Sequence, residues 1–197
     1  MVKSNRTFPI VCIGGSAGGF VAYEQILLNL AFDTGMTFII VAHRADDSAD
    51  CLSYLLKRRT RMDVVDAQDG TLLLPNRVIL SAPHRAITTD GNCVQLAPHA
   101  LLRGWPILIS EFLQSMVATC ASRSIAVIVS GMGYDGSNAL GAIKNVGGVT
   151  FAQAGAKYDS MPNAAMATGH VDSMLAANEI GKRLTTIAKG RASSAKC

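Results

Sequence analysis

The stretch PIVCIGGSAGGF, Pro9–Phe20, decides the fold. Its first half is apolar without alternation and partly β-branched, as a strand buried on both faces requires. Glycines then crowd around Ser16, at Gly14, Gly15, Gly18 and Gly19. The run FVAYEQILLNL that follows has apolar residues at helical spacing, with Val21, Ile26, Leu27 and Leu30 predicted to share the buried face. Strand, glycine turn, helix is the opening unit of an α/β fold.

The rest of the chain repeats that unit. MTFIIVA (36–42) reads as a second buried strand ending at His43, followed by a helix over 48–58 and short strands at MDVVDA and RVILSA. Asp90-Gly91 is a hairpin turn signal, so residues 84–97 are expected to be an antiparallel excursion. Apolar residues at 108, 109, 112, 113, 116, 117 and 120 mark an amphipathic helix over Ile107–Cys120. SIAVIVS (124–130) is another buried strand. A helix through SNALGAIKNV, capped by Gly147, leads to the strand VTFAQ (149–153), and two further helices close the chain. Alternating strands and helices predict a doubly wound, mostly parallel sheet flanked by helices. We expect one domain over 1–197, with its core at about 9–188 and a frayed tail at 189–197.

Composition removes several function classes. With 49% hydrophobic and 16% charged residues the chain is globular, and no apolar run reaches the roughly 18 needed to cross a bilayer. The apolar run at the N-terminus is too short for an export leader, so a cytoplasmic location without membrane insertion is expected. A net charge of +4 is too mild to imply nucleic acid. The one dense basic run, KRRTR (57–61), has no interleaved aromatic residues; it suits the negative end of a helix dipole, or contact with an acidic protein partner. Cys12, Cys51, Cys93, Cys120 and Cys197 are scattered and odd in number, which argues for reduced thiols and against a disulfide framework or metal site.

In doubly wound sheets chemistry collects beyond the carboxyl ends of the strands. Ser16 follows the first strand, His43 ends the second, and Asp135 lies just beyond SIAVIVS. Taken singly, Ser16 could cap a helix, His43 could be a satisfied strand-end histidine, and Asp135 could be an N-cap. Together at one sheet edge they suit nucleophilic catalysis. A histidine activates the serine hydroxyl, and a carboxylate orients the imidazole. A glycine turn would expose the serine Oγ and free backbone N–H groups for an oxyanion.

Two other motifs compete. Gly14–Gly18 fits G-x-S-x-G, with Ser16, Asp135 and His170 in the chain order of an α/β-hydrolase triad, but that elbow needs several strands before it. Gly131–Gly136 matches G-x-G-x-x-G between a strand and a helix, the context of a dinucleotide fingerprint. The following strand ends at Gln153 rather than an acid, and Asp135 inside the loop would repel a pyrophosphate. No G-K-[ST] occurs, which excludes a P-loop.

IGGSAGG, then VAH, then SGMGYDG, followed by GGVTFAQ and Met161-Pro162 with its trailing ATG, resembles the catalytic domain of bacterial chemotaxis protein-glutamate methylesterase (the CheB type) from about Pro9 to about Ala176. The resemblance implies a single methylesterase-like domain in which Ser16 attacks the methyl ester of a glutamate on a chemoreceptor's cytoplasmic helices. His43 would serve as base and then acid, Asp135 would orient it, and the N–H groups of Ala17 and Met132 would hold the oxyanion. Gly14, Gly15, Gly18, Gly19, Gly131, Gly133 and Gly136 would shape the site loops, and no cofactor is implied. Some relatives also deamidate glutamine. The chain departs from the pattern at Ala42, where glutamine is frequent, and near Leu108, where an aspartate is usual. Relatives commonly carry a receiver domain, so a response-regulator or fusion partner is a further expectation. A catalytically lapsed esterase fold used for docking, and a nucleotide-binding enzyme using Gly131–Gly136, remain as alternatives.

Overall fold

A computed structural model of the chain describes residues 8–43, 49–83, 85–98, 101–102 and 105–194. Expectations that reach residue 48, residue 84 or residues 195–197 fall outside the described residues. In chain order the elements are β1 (Ile10–Gly15), α1 (Gly19–Leu28), β2 (Thr37–Ala42), α2 (Ala49–Lys57), β3 (Asp63–Asp66) and β4 (Arg77–Leu80). The short strands β5 (Arg85–Thr89), β6 (Val94–Pro98), β7 (Leu101–Leu102) and β8 (Trp105–Pro106) follow, and then α3 (Leu108–Cys120). The last part holds β9 (Ser124–Ile128), α4 (Leu140–Asn145), β10 (Val149–Gln153), α5 (Ser160–Ala167), β11 (Ser173–Leu175) and α6 (Ala177–Ser194).

Seven strands form one sheet in the order β11-β10-β9-β1-β2-β4-β3, and every pairing in it is parallel. The chain starts in the middle at β1, passes to β2, reaches the edge at β3 and returns to β4 between them, then crosses to build β9, β10 and β11 on the other side of β1. The doubly wound expectation is met. The reversal opens a crevice beyond the carboxyl ends of β1 and β9, where sites form in such sheets.

Strand alternation explains why these segments are apolar throughout. Ile10 and Cys12 of β1 face a core shared with Phe112, Leu113 and Met116 of α3, while Val11 and Ile13 face Tyr23, Ile26 and Leu27 of α1 and Ile180 and Leu184 of α6. Both faces are covered, so neither set can be polar.

At several places the structure adds to the sequence reading or differs from it. Val21 is 59% exposed, because α1 buries Gly19, Ala22, Tyr23, Ile26 and Leu27 instead. Small residues set the close-packed stripe there, and a search for large apolar side chains passes over them. The excursion at β5 and β6 is antiparallel as expected but stands as its own two-stranded sheet, packed through Ile87 and Val94 into the α3 side of the core. β11, a three-residue strand with pattern SML, is too short to announce itself. Residues 189–194, expected to fray, continue α6 to Ser194.

Candidate active site

Register brings the first two candidate residues together. Gly15 of β1 pairs with Ala42 of β2, so the next residue on each strand is Ser16 and His43 respectively. Backbone bonds carry the ladder past the strand ends: His43 N–H donates to Gly15 O at 3.2 Å, and Ser16 N–H donates to Ser130 O at 3.0 Å. Adjacent strands lie about 4.8 Å apart, which sets the scale of the separation between these two segments. Ser16 and His43 are both half-buried.

Asp135 arrives from the loop after β9 and lies 2.8 Å from His43 Nε2 through its Oδ2. It is only 6% exposed. Ile109 N–H donates to Oδ2 at 2.9 Å; Ser110 N–H and Ser110 Oγ–H donate to Oδ1 at 3.0 and 2.7 Å. Ile109 and Ser110 belong to the first turn of α3, whose N–H groups have no partner within the helix. The carboxylate therefore also completes a helix N-terminus, where negative charge is favoured. Burial by itself raises the pKa of Asp135, but the hydrogen bonds from His43, Ser110 and Ile109 outweigh it and hold the carboxyl below the usual carboxylate value. An ionised Asp135 can only accept, so His43 donates its Nε2–H, which in a neutral imidazole leaves the lone pair on Nδ1.

Ser110 is the residue the sequence reading missed. Its Oγ donates to Asp135 and accepts the Gly136 N–H at 2.9 Å, linking the carboxylate to its own loop. A serine in an amphipathic helix carries no local signal for that role; only the position of Asp135 reveals it.

The two glycine loops touch. A Cβ on Gly131 would sit 2.0 Å from Met161 Sδ and 3.1 Å from Ser16 Cβ, so glycine alone lets the second loop close on the first. Ser130 knits the loops from beneath: its Oγ donates to Ala17 O at 2.8 Å, and its N–H donates to Gln153 Oε1 at 2.8 Å. Gly18 and Gly19 turn the chain into α1, with Gly19 N–H donating to Ser16 O at 2.9 Å. Met132, next to Gly131, is 65% exposed. Gly14, at the end of β1, leaves room for Ile109 of α3.

These bonds decide against the competing motifs. In the G-x-G-x-x-G stretch, Gly131 N–H donates to Tyr158 O, Gly133 N–H to Ser160 Oγ and Gly136 N–H to Ser110 Oγ. The glycine amides that would cradle a pyrophosphate are committed to protein, and Gln153, at the ribose position, is committed to Ser130. His170 packs against Gly141 on α4, and it is His43 that meets Asp135. Of the departures from the family pattern, Ala42 ends β2 with its N–H on Ser81 Oγ, and Leu108 is the buried first residue of α3. Beneath the site, Cys12 is fully buried, and burial with the nearby Asp135 charge pushes its thiol far above the ordinary range, so it stays protonated. Among the described residues no cluster of His, Cys, Asp and Glu could hold a metal ion, and no helix is long and apolar enough to cross a membrane.

Comparison with known proteins identifies the family and the fold. The family model described as CheB methylesterase matches residues 11–184. The chain belongs to the CheB methylesterase family. A protein-glutamate methylesterase/protein-glutamine glutaminase of Rhizobium meliloti is 30% identical over 92% of this chain and 52% of its own length. One from Pseudomonas aeruginosa is 31% identical over 95% of this chain and 55% of its own. The chain thus spans about half the length of these methylesterase relatives. The crystal structure of the Thermotoga maritima CheB methylesterase catalytic domain superposes with a TM-score of 0.87, covering 92% of this chain and all of that one at 24% identity, which establishes the shared fold.

Proposed function

We propose that this CheB-family chain is a serine hydrolase that removes methyl groups from glutamyl methyl esters on the cytoplasmic helices of chemoreceptors. The observation that carries the reading is the His43–Asp135 bond at 2.8 Å beside the strand end that presents Ser16. Ser16 Oγ attacks the ester carbonyl while His43 Nδ1 takes the hydroxyl proton, and Asp135 stabilises the resulting imidazolium through Nε2. The carbonyl electrons move to oxygen, held by the N–H groups of Ala17 and Met132, the residues that follow Ser16 and Gly131 in the two touching loops. Collapse of the tetrahedral adduct breaks the bond to methoxide, which leaves as methanol with the proton from His43. Water then attacks the glutamyl-Ser16 ester, gives a proton to His43, and releases glutamate with Ser16 restored. The sum is ester plus water to carboxylate, methanol and a proton. A glutamine amide runs through the same sequence with ammonia as the leaving group, in keeping with the glutaminase in the relatives' names.

Methanol release from a methylated receptor fragment tests the reading. Turnover is expected from the natural chain and only background from Ser16→Ala. A chain that binds the receptor yet releases no methanol or ammonia would be a docking module instead.

A further inference from the structure

Around the mouth of this site, large side chains stand in solvent on a rigid mounting. Met132 is 65% exposed, Tyr134 43% and Tyr158 39%. Their backbones are pinned nearby: Tyr158 O accepts the Gly131 N–H at 2.9 Å, Tyr158 N–H donates to Ser130 Oγ at 3.1 Å, and Tyr134 O accepts from Ser137 Oγ. The Tyr158 ring lies over the turn after Ser16, 2.9 Å from where a Gly18 Cβ would be. Met132 follows the glycine that touches Ser16, and Tyr134 precedes Asp135. Lys157 adds a cation 5.6 Å above the Tyr158 ring. Methionine and tyrosine held in place but left uncovered are the composition of a contact surface rather than of a core.

We propose that Met132, Tyr134 and Tyr158 form a docking rim that selects an ester carried on a folded helix over the same ester free in solution. The inference rests on the reading of Ser16 as nucleophile. A glutamyl ester that reaches Ser16 from a helix brings with it the residues one turn before and after, about 5–6 Å to either side on the same face. Those neighbours meet the side chains that flank the mouth. The tyrosines offer large contact area with few rotatable bonds to immobilise, and Lys157 suits an acidic residue on the helix surface. A small ester reaches Ser16 without covering the rim.

The test compares kcat/KM for two substrates, a methylated receptor cytoplasmic fragment and N-acetylglutamate γ-methyl ester α-methylamide. In the Tyr134→Ser/Tyr158→Ser double variant the ratio of protein to small-ester kcat/KM should fall about 10- to 30-fold, mainly through KM for the protein. Tyr134→Phe/Tyr158→Phe, which keeps the rings, should hold the ratio within about 2-fold of the natural chain. Tyr134→Ser alone, at the more exposed of the two tyrosines, should already lower the ratio. An unchanged ratio in the double serine variant overturns the rim, as does an equal loss on both substrates, which would mark the tyrosines as merely structural. Failure of the natural chain on both substrates would sink the hydrolase reading itself, whereas hydrolysis of the small ester with equal or poorer use of the protein would sink only the rim.

Discussion

The loops at Gly14–Gly19 and Gly131–Gly136 are both rich in glycine and lie against each other, yet they treat their polar side chains in opposite ways. The first leaves Ser16 half-buried at the edge of the crevice, held by its backbone to Ser130 and Gly19. The second takes Asp135 almost wholly out of water and surrounds it with donors from His43, Ile109 and Ser110. A nucleophile must be reachable, whereas an orienting carboxylate gains strength from a low-dielectric setting provided its hydrogen bonds are made. Glycine serves both ends, by baring a side chain in one loop and by permitting close approach in the other.

The largest effect should come from the half-buried serine. Ser16→Ala is expected to lower the rate of methanol release by about 10⁴-fold or more with little change in thermal stability, because the bonds that hold Ser16 in its loop come from its backbone, which alanine keeps. Asp135→Asn should cost a similar factor, about 10³ to 10⁴, and unlike Ser16→Ala should also lower the melting temperature, since α3 loses its counter-charge. Comparable stability losses in these two variants would break the contrast between the loops.

The same pair predicts a pH dependence. The folded pKa of Asp135 lies below its unfolded value, so its stabilisation is fully present above the unfolded carboxyl range near 4 and is lost as pH falls through the folded value. Circular-dichroism titration from pH 6 to pH 2 should show a shallower acid loss in Asp135→Asn than in the natural chain. Asp172 and Asp90, also held low by their hydrogen bonds, leave part of that loss in place.

Smaller changes sharpen the picture. Ser110→Ala removes one donor to Asp135 and the acceptor of Gly136 N–H, and should cost about 1–3 kcal/mol of stability and about tenfold in kcat. Ser110→Thr, which restores the hydroxyl, should recover part of both. Within the second loop, Gly131→Ala should destabilise by about 1–3 kcal/mol through its clash with Met161 and Ser16. Gly133→Ala, at φ 85° but in open space, should cost about 1–2 kcal/mol from backbone strain alone. Urea unfolding of the two variants, with and without Met161→Ala, separates crowding from strain: the truncation should relieve only Gly131→Ala.

Much of this was legible in the chain. Continuous apolar strands such as Ile10–Ile13 and Phe38–Val41 can be buried on both faces only in a covered parallel sheet, and the residue after each strand then falls on its carboxyl edge. That logic placed Ser16, His43 and Asp135 at one edge without any coordinates. It did not reach Val21, whose exposure depends on the close packing of Gly19 and Ala22, nor β11, which is only three residues long.

Local pattern by itself thus determined the element types, their alternation and the residues that end the strands, because those depend on side-chain periodicity within a short window. Tertiary structure alone decided that α3 aims its first-turn amides at Asp135, that Ser110 bridges the carboxylate to its loop, and that the glycine amides of a nucleotide-like motif are already spent on Tyr158, Ser160 and Ser110. Each of these joins residues about 25 or more positions apart in the chain, and no window of sequence contains both partners. Hydrogen bonding between such segments is fixed by how the layers stack, which the periodicity of neither segment records.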